Sequence, residues 1–310
     1  MVPKTDVSGG RGCKVQSARS RGRRFIARKD LVPYSFLLPF LLVFVVFSLY
    51  PTIWGLYVSM TDYNVLTGQK NFLGLANYLE LLNSERFFRS LWNTCYYTLL
   101  VVPSQVVAGL ALALYVNKRL LGHTVSRAVV FAPHVLSVTV TSFIWGWIFE
   151  TRYGLLNLAL RALGARGNIP WLTSSQWAMP AIAITSIWGG AGFAMIIFLA
   201  GLQDIPSELK EAAQVDGANA WQTFFSVVLP ILRPVVLLVV TLGLISGMKV
   251  FGQMYIMTQG GPGGTTKSVV YEILDEFGSM RTGYSAAIGY ALLVIILVLT
   301  AIRQRLVREQ

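Results

Sequence analysis

Five long intervals of this chain contain no charged residue, and this pattern restricts its fold more than any other feature. They lie between Asp30 and Asp62, Arg89 and Lys118, Arg127 and Glu150, Arg166 and Asp204, and Arg281 and Arg303. Each can hold the roughly 20 apolar residues that cross a hydrocarbon layer about 30 Å thick. A sixth apolar stretch follows Arg233 and carries one charge, Lys249. Backbone polar groups in lipid must be bonded within their own segment, so the spans are predicted to be helices. They fall near 34–59, 92–116, 127–149, 178–200, 234–257 and 284–302. Only 13% of the 310 residues are charged, against about 25% in soluble domains. The predicted fold class is an all-α membrane protein with six transmembrane helices.

Lysine and arginine set the expected orientation. Residues 1–30 hold nine of them: Lys4, Arg11, Lys14, Arg19, Arg21, Arg23, Arg24, Arg28 and Lys29. Lys118, Arg119 and Arg127 follow the second span, and Arg303, Arg305 and Arg308 follow the last. The alternate loops carry the acids Glu80, Glu85, Glu150, Glu272, Asp275 and Glu276. The bias of positive charge toward the cytoplasm places both termini there. The net charge of +12 is then a topology and lipid-surface signal, with no nucleic acid needed to explain it. The tail, rich in Gly, Ser and Arg, is predicted to be disordered. The first span is longer than a signal-peptide core and no A-x-A site follows, so it reads as a retained anchor. Cys13 and Cys95 fall far apart in this topology and are expected to be unpaired thiols.

The stretch from Gly201 to Arg233, between spans four and five, does not fit a passive bundle. Ser207 is placed to cap a helix, with Glu208 and Glu211 in its first turn. Leu209, Ala212, Ala213 and Asp216 share one face of that helix. Gly217 ends it, because glycine tolerates left-handed dihedrals. Asn219 can cap a second helix, with Trp221, Phe224, Phe225 and Val228 on its apolar face. Pro230 is expected to stop or kink this helix before the membrane. An amphipathic linker on the membrane surface is one reading. A surface helix favours basic residues, however, and this one has Asp204, Glu208, Glu211 and Asp216 against Lys210 alone. That acidic face is better suited to a protein partner.

At these residues the chain resembles a known family. Glu211-Ala212-Ala213, Gly217 and Leu229-Pro230 look like the EAA loop of ABC importer permeases. The longer form E-A-A-x-x-D-G-A is matched from Glu211 to Ala218, including Asp216, as in the carbohydrate-importing branch. Val227 stands where Ile is usual. Lys249 through Pro262 is similar to the F-D-x-I-Y-x-M-T-x-G-G-P signature of one of the two permeases in importers of the maltose and glycerol-phosphate type. Gly252 stands where that family often has Asp. Further matches are Phe72-Leu73-Gly74-Leu75-Ala76-Asn77-Tyr78, Trp92-Asn93-Thr94 and Tyr153-Gly154-Leu155-Leu156-Asn157, so the resemblance covers residues 30–305.

The resemblance implies a type I ABC importer permease fold in a bacterial or archaeal cytoplasmic membrane. It implies a heterodimer with a second homologous permease, two ATPase subunits and an external solute-binding protein that delivers a sugar. Glu211, Ala212, Ala213, Asp216, Gly217, Ala218, Leu229 and Pro230 would form the coupling loop that docks on an ATPase subunit. ATP and Mg would be bound by those subunits and no cofactor by this chain. The organisation expected is a basic tail (1–30), a first span with external loop (31–88), a permease core (89–303) containing the coupling loop 204–230, and a short tail (304–310).

The polar residues of the fifth span are the candidates for a pathway. Charges inside a membrane are costly and face a cavity or a partner. Lys249 therefore either lines the pathway or pairs with an acid of a partner subunit. With the resemblance placing span five beside the sugar pathway, Ser246, Lys249, Gln253 and Tyr255 are the expected lining, a mix of hydrogen-bonding and aromatic groups suited to sugars. Trp145, Trp147 and Trp188 read as interface anchors or packing. His134 reads as a packed, hydrogen-bonded side chain, and Gly189, Gly190 and Gly192 as sites of close helix contact. Gly261 to Ser268 nearly spells a phosphate-binding loop, but Thr266 replaces a required glycine and no strand is expected before it. No catalytic triad, metal spacing or paired intramembrane carboxylates are present, which speaks against an enzyme. An ion-coupled secondary carrier is the alternative, although it would want acids inside the spans.

Overall fold

The computed structural model describes residues 28–68, 70–117 and 123–308. The basic tail through residue 27, including Cys13, and the loop residues Lys118 and Arg119 lie outside the described residues. The chain divides into two units, one ending at Ile53 and the other beginning at Trp54. In the first, helix α1 (Arg28–Phe44) runs into a π-helical turn, Val45–Leu49. Helix α2 (Tyr50–Ser59) follows, and the apolar run Phe36–Ser59 is long enough to cross a membrane.

In the second unit, which begins within α2, an antiparallel hairpin of β1 (Thr61–Tyr63) and β2 (Lys70–Phe72) follows that helix, then α3 (Ala76–Leu82). The buried Asn77 amide donates to Ser59 O at 2.9 Å and Thr61 O at 3.0 Å. It thus satisfies carbonyls that a short hairpin cannot pair. Helix α4 (Glu85–Asn117) is the longest among the described residues, and several of its hydroxyls are satisfied within the helix. Thr94, Thr98 and Ser104 each donate a hydroxyl to the carbonyl four residues back at 2.7 Å, so they need no water.

Helices α5 (His123–Val135) and α6 (Val138–Ile148) follow, then α7 (Leu155–Ala162) in a connecting loop. Buried Asn157 organises that loop. Its amide donates to Thr151 O and Ile169 O and accepts from Ile169 N and the Trp171 indole. Helix α8 (Ala178–Gln203) is the most enclosed long helix and packs along α4 in the same direction. The approach is close because the side chains are small. A Cβ on Gly109 would meet Ala194 Cβ at 2.5 Å, and one on Gly192 would overlap the Val130 carbonyl.

Next come α9 (Ser207–Val215), α10 (Ala220–Thr223), a π-helical turn at Phe224–Val228, and α11 (Leu229–Met248). Helices α12 (Gly252–Thr258), α13 (Val269–Gly278) and α14 (Thr282–Arg308) complete the chain. Phe198, Leu202, Val228 and Leu232 form the core near α9. Phe87, Met248, Val269 and Ile288 form the core at the opposite end. Among the described residues, five helical stretches are long and apolar enough to span a membrane, with a sixth if the bent α5–α6 pair is one span.

Four expectations are corrected. The third span is not a straight helix over 127–149: α5 and α6 meet at 96°. The first piece ends at Val135, two residues past Pro133, and the Ser137 hydroxyl caps the second by accepting from Thr139 N. The fifth span does not run over 234–257. It extends from Ala220 to Met248, and Lys249 stands at its C-terminal end rather than in its interior. Pro230 does not stop the helix, because the π turn inserts one residue and carries the chain through, with Leu229 N bonded to Phe224 O. Finally, Pro206 rather than Ser207 is the residue preceding α9; Ser207 is its first helical residue.

Candidate coupling loop and translocation cavity

The loop between α8 and α11 forms the helix–bend–helix its residues predict. Gly217 has φ +83°, a left-handed value that a Cβ disfavours. Ala218 N reaches back to Ala213 O at 2.9 Å and Gly217 N to Gln214 O at 3.0 Å, which closes the end of α9. Asn219 caps α10 reciprocally: its side chain accepts from Gln222 N, and the Gln222 side chain accepts from Asn219 N. None of the residues of α9 is buried. Glu211, Ala212 and Asp216 are exposed, Ala213 and Ala218 half-buried. Beside them Leu209, Trp221 and Phe225 are also exposed, Val215 is 87% exposed, and the Trp221 and Phe225 rings stack at 5.9 Å. Leu229 and Pro230 sit above this patch, at the start of α11.

Ser246, Lys249, Gln253 and Tyr255 all line one open cavity of about 680 Å³. The break after Met248 brings them together: Ser246 lies in the last turn of α11, Lys249 at its end, and Gln253 and Tyr255 on α12. Gly252 permits this break to pack, since a Cβ there would meet Val138 Cγ1, at the start of α6, at 2.6 Å. Tyr255 stands against Phe251 and Tyr271, ring centroids 5.1 and 5.6 Å away, and gives the cavity an aromatic wall.

The opposite wall was not anticipated from the sequence. It is made by Tyr97 and Gln105 of α4, Thr185 and Ser186 of α8, and the α5–α6 bend with His134. Gln105 donates to Ser186 O at 2.8 Å, and Gly190 leaves the room its amide occupies. His134 is exposed to the cavity and not enclosed. Its ring stacks on Phe193 at 4.8 Å, and Nδ1 lies 3.3 Å from Gly189 O. The signal available was the pair Ser104-Gln105 beside Pro103, polar groups in a charge-free stretch. Trp145 and Trp188 pack edge to face at 5.6 Å outside the lining, whereas Gly189 lines the cavity and a Cβ added there would meet nothing within 4 Å. Among the described residues, no cluster of His, Cys, Asp or Glu is arranged to hold a metal ion.

The end opposite the α9–α10 loop is tightly bonded. Asn93 donates to Gly264 O at 2.9 Å and Lys267 O at 3.0 Å, and Val269 N donates to Thr94 Oγ1 at 3.0 Å. The near-P-loop segment is therefore a closed turn packed on α4, and a helix, α12, precedes it. Lys267 pairs with Asp275, and this hydrogen bond holds its ammonium pKa above the usual lysine value. Glu272 is buried, and burial pushes its carboxyl above the usual carboxylate range, with the Lys267 charge opposing and Glu276 and Asp275 adding. Arg281 bridges Glu276 and Glu80.

Comparison with known proteins agrees with this architecture. Residues 71–310 match the family described as binding-protein-dependent transport system inner membrane component. The trehalose/maltose transport system permease of Thermococcus litoralis is 33% identical over 89% of this chain and 93% of its own length. The arabinooligosaccharide transport system permease of Bacillus subtilis is 35% identical over 93% and 92%. A chain of a bacterial ABC transporter involved in alginate import shares the fold with a TM-score of 0.79 at 24% identity, over 91% of this chain and 96% of that one. Membrane-embedded, with an open cavity that carries polar groups among apolar ones, this chain belongs to the family of inner-membrane components of binding-protein-dependent transport systems.

Proposed function

We propose that this chain is one of two permeases in an ABC importer and forms half of the path by which a sugar or oligosaccharide enters the cell. The observation that carries the reading is the gathering of Ser246, Lys249, Gln253 and Tyr255 on one open cavity. Hydroxyl, amide and aromatic groups on facing walls suit a polyhydroxylated cargo. The saccharides named for the Thermococcus and Bacillus relatives support that class. In this reading an external binding protein delivers the sugar and a second, homologous permease supplies the other half of the path. Two ATPase subunits bind ATP and Mg on the cytoplasmic side, where both termini lie. No covalent chemistry takes place in this chain.

The exposed acidic and apolar face of α9 and α10 is the docking surface for an ATPase subunit. Closure of the ATPases moves this loop, and the continuous helix Ala220–Met248 carries the motion to the cavity at its far end. Two substitutions test the coupling. Glu211→Ala removes one partner of a charge contact, a loss of about 2–5 kcal/mol if the pair is buried on docking. Gly217→Pro cannot adopt the left-handed φ and deletes the N–H bonded to Gln214 O. Both are expected to lower transport while the protein remains in the membrane; normal uptake with normal ATPase assembly would sink the coupling role. Lys249→Met and Gln253→Ala are expected to change substrate affinity or basal ATP hydrolysis. Parental behaviour of both across a sugar panel would remove α11 and α12 from the path.

A further inference from the structure

The charge balance of the cavity is one-sided. Lys249 is the only Lys, Arg, Asp or Glu among its lining residues, and no carboxylate faces it. Its side chain is exposed, and among the described residues it enters no ion pair. Gly252, one turn further on, contributes no side chain, and its packing on Val138 leaves no room for one without a shift. The C-terminal end of α11 offsets part of the ammonium charge, with about half an elementary charge of the opposite sign. The remainder is uncompensated among the described residues. A cleft with low-dielectric walls and one sign of charge concentrates ions of the other sign. The other polar groups around it, Ser246, Gln253, Gln105 and Tyr255, are neutral hydrogen-bonding groups that fit hydroxyls.

Resting on the transport reading above, we propose that the cavity is built for a saccharide bearing an anionic group, a carboxylate, sulfonate or phosphate, which Lys249 pairs as it passes. Neutral groups on both walls take the hydroxyls, and cationic amino sugars are disfavoured by the same charge.

The test uses the assembled importer with Cys13→Ser, Cys95→Ser and Ser246→Cys in this chain. Labelling rates at position 246 are measured with an anionic sulfonatoethyl and a cationic trimethylammonioethyl methanethiosulfonate. Relative to a free thiol, the anionic reagent is expected to be favoured at least threefold. Lys249→Met should abolish that preference and Lys249→Arg should keep it. Protection is then measured with methyl glucuronide, methyl glucoside and inorganic phosphate. The glucuronide should protect at a concentration at least fivefold below that of either of the others. A thiol unreactive to both reagents overturns the pathway reading itself. A reactive thiol with no charge preference, or with a cationic one, leaves the pathway standing and overturns the inference, the latter by showing that a partner subunit's carboxylate neutralises Lys249. Equal protection by both glycosides, or by neither, overturns the cargo claim, and phosphate protecting as well as the glucuronide overturns its saccharide part.

Discussion

At one end of the membrane helices, the turn 259–268 and α13 are closed by bonds from α4: Asn93 holds two carbonyls, Thr94 accepts from Val269 N, and Glu272 is buried. At the other end, α9 buries nothing, and Val215, Trp221 and Phe225 face outward. Both ends are rich in polar and apolar side chains, so composition does not separate them. What differs is where their partners are. The first end satisfies its groups within the chain, whereas the second leaves an apolar and acidic face uncovered, as a surface does when another chain completes it.

Three substitutions probe this contrast. Asn93→Leu should have the largest effect on stability, because two carbonyls lose their donor in a packed interior. About 3 kcal/mol is expected, read as a lower melting temperature of the purified protein. A shift no larger than a surface change would mean that water already serves those carbonyls. Glu272→Gln comes next, and its effect depends on pH. A carboxyl whose folded pKa is raised costs stability as pH climbs from the ordinary carboxylate range through the folded value. The glutamine variant escapes that cost, so its melting temperature should gain on the parent between pH 4 and pH 8. Parallel curves would show that the burial of Glu272 is relieved in solution. Val215→Ser should change stability least, by less than about 0.5 kcal/mol, yet reduce ATP-driven uptake. Loss of stability with intact uptake would reverse the contrast between the ends.

Much of the architecture was readable because lipid punishes charge so uniformly. The charge-free intervals located five of the spans, the bent third among them, whereas the fifth, Ala220–Met248, contains Arg233 and was misplaced; Gly217 and Asn219 marked the bend with the residues that such a bend requires. What escaped was determined by contacts rather than by local preference. Pro133 in the third apolar interval did not reveal a 96° bend, since prolines within membrane helices are often accommodated; Ser137 as a cap was the clue that could have been used. Pro230 suggested a stop or a kink; the helix continues through it by way of a π turn. Met248 ends α11 in the middle of an apolar run, where Gly252 meets Val138 of a helix more than a hundred residues earlier in the chain, a contact that no local pattern announces. Ser246, Lys249, Gln253 and Tyr255, picked as candidates from the expected fifth span, do line one cavity, although the last three lie beyond Met248. Their facing wall of Gln105, Ser186 and His134 comes from three other elements and required the fold.

The bend between α5 and α6 also bears on how such a transporter can change over evolutionary time. It brings Pro133, His134, Leu136, Val138 and Thr139 to the cavity, and the start of a helix leaves backbone N–H groups outside the ladder. The direction of that wall is set by the bend, which the replacement of a single lining side chain leaves in place. New cargo preferences can then arise by exchanging lining side chains on α4, α11, α12 or the bend itself, while the bent backbone persists as an inherited template on which those replacements are tried.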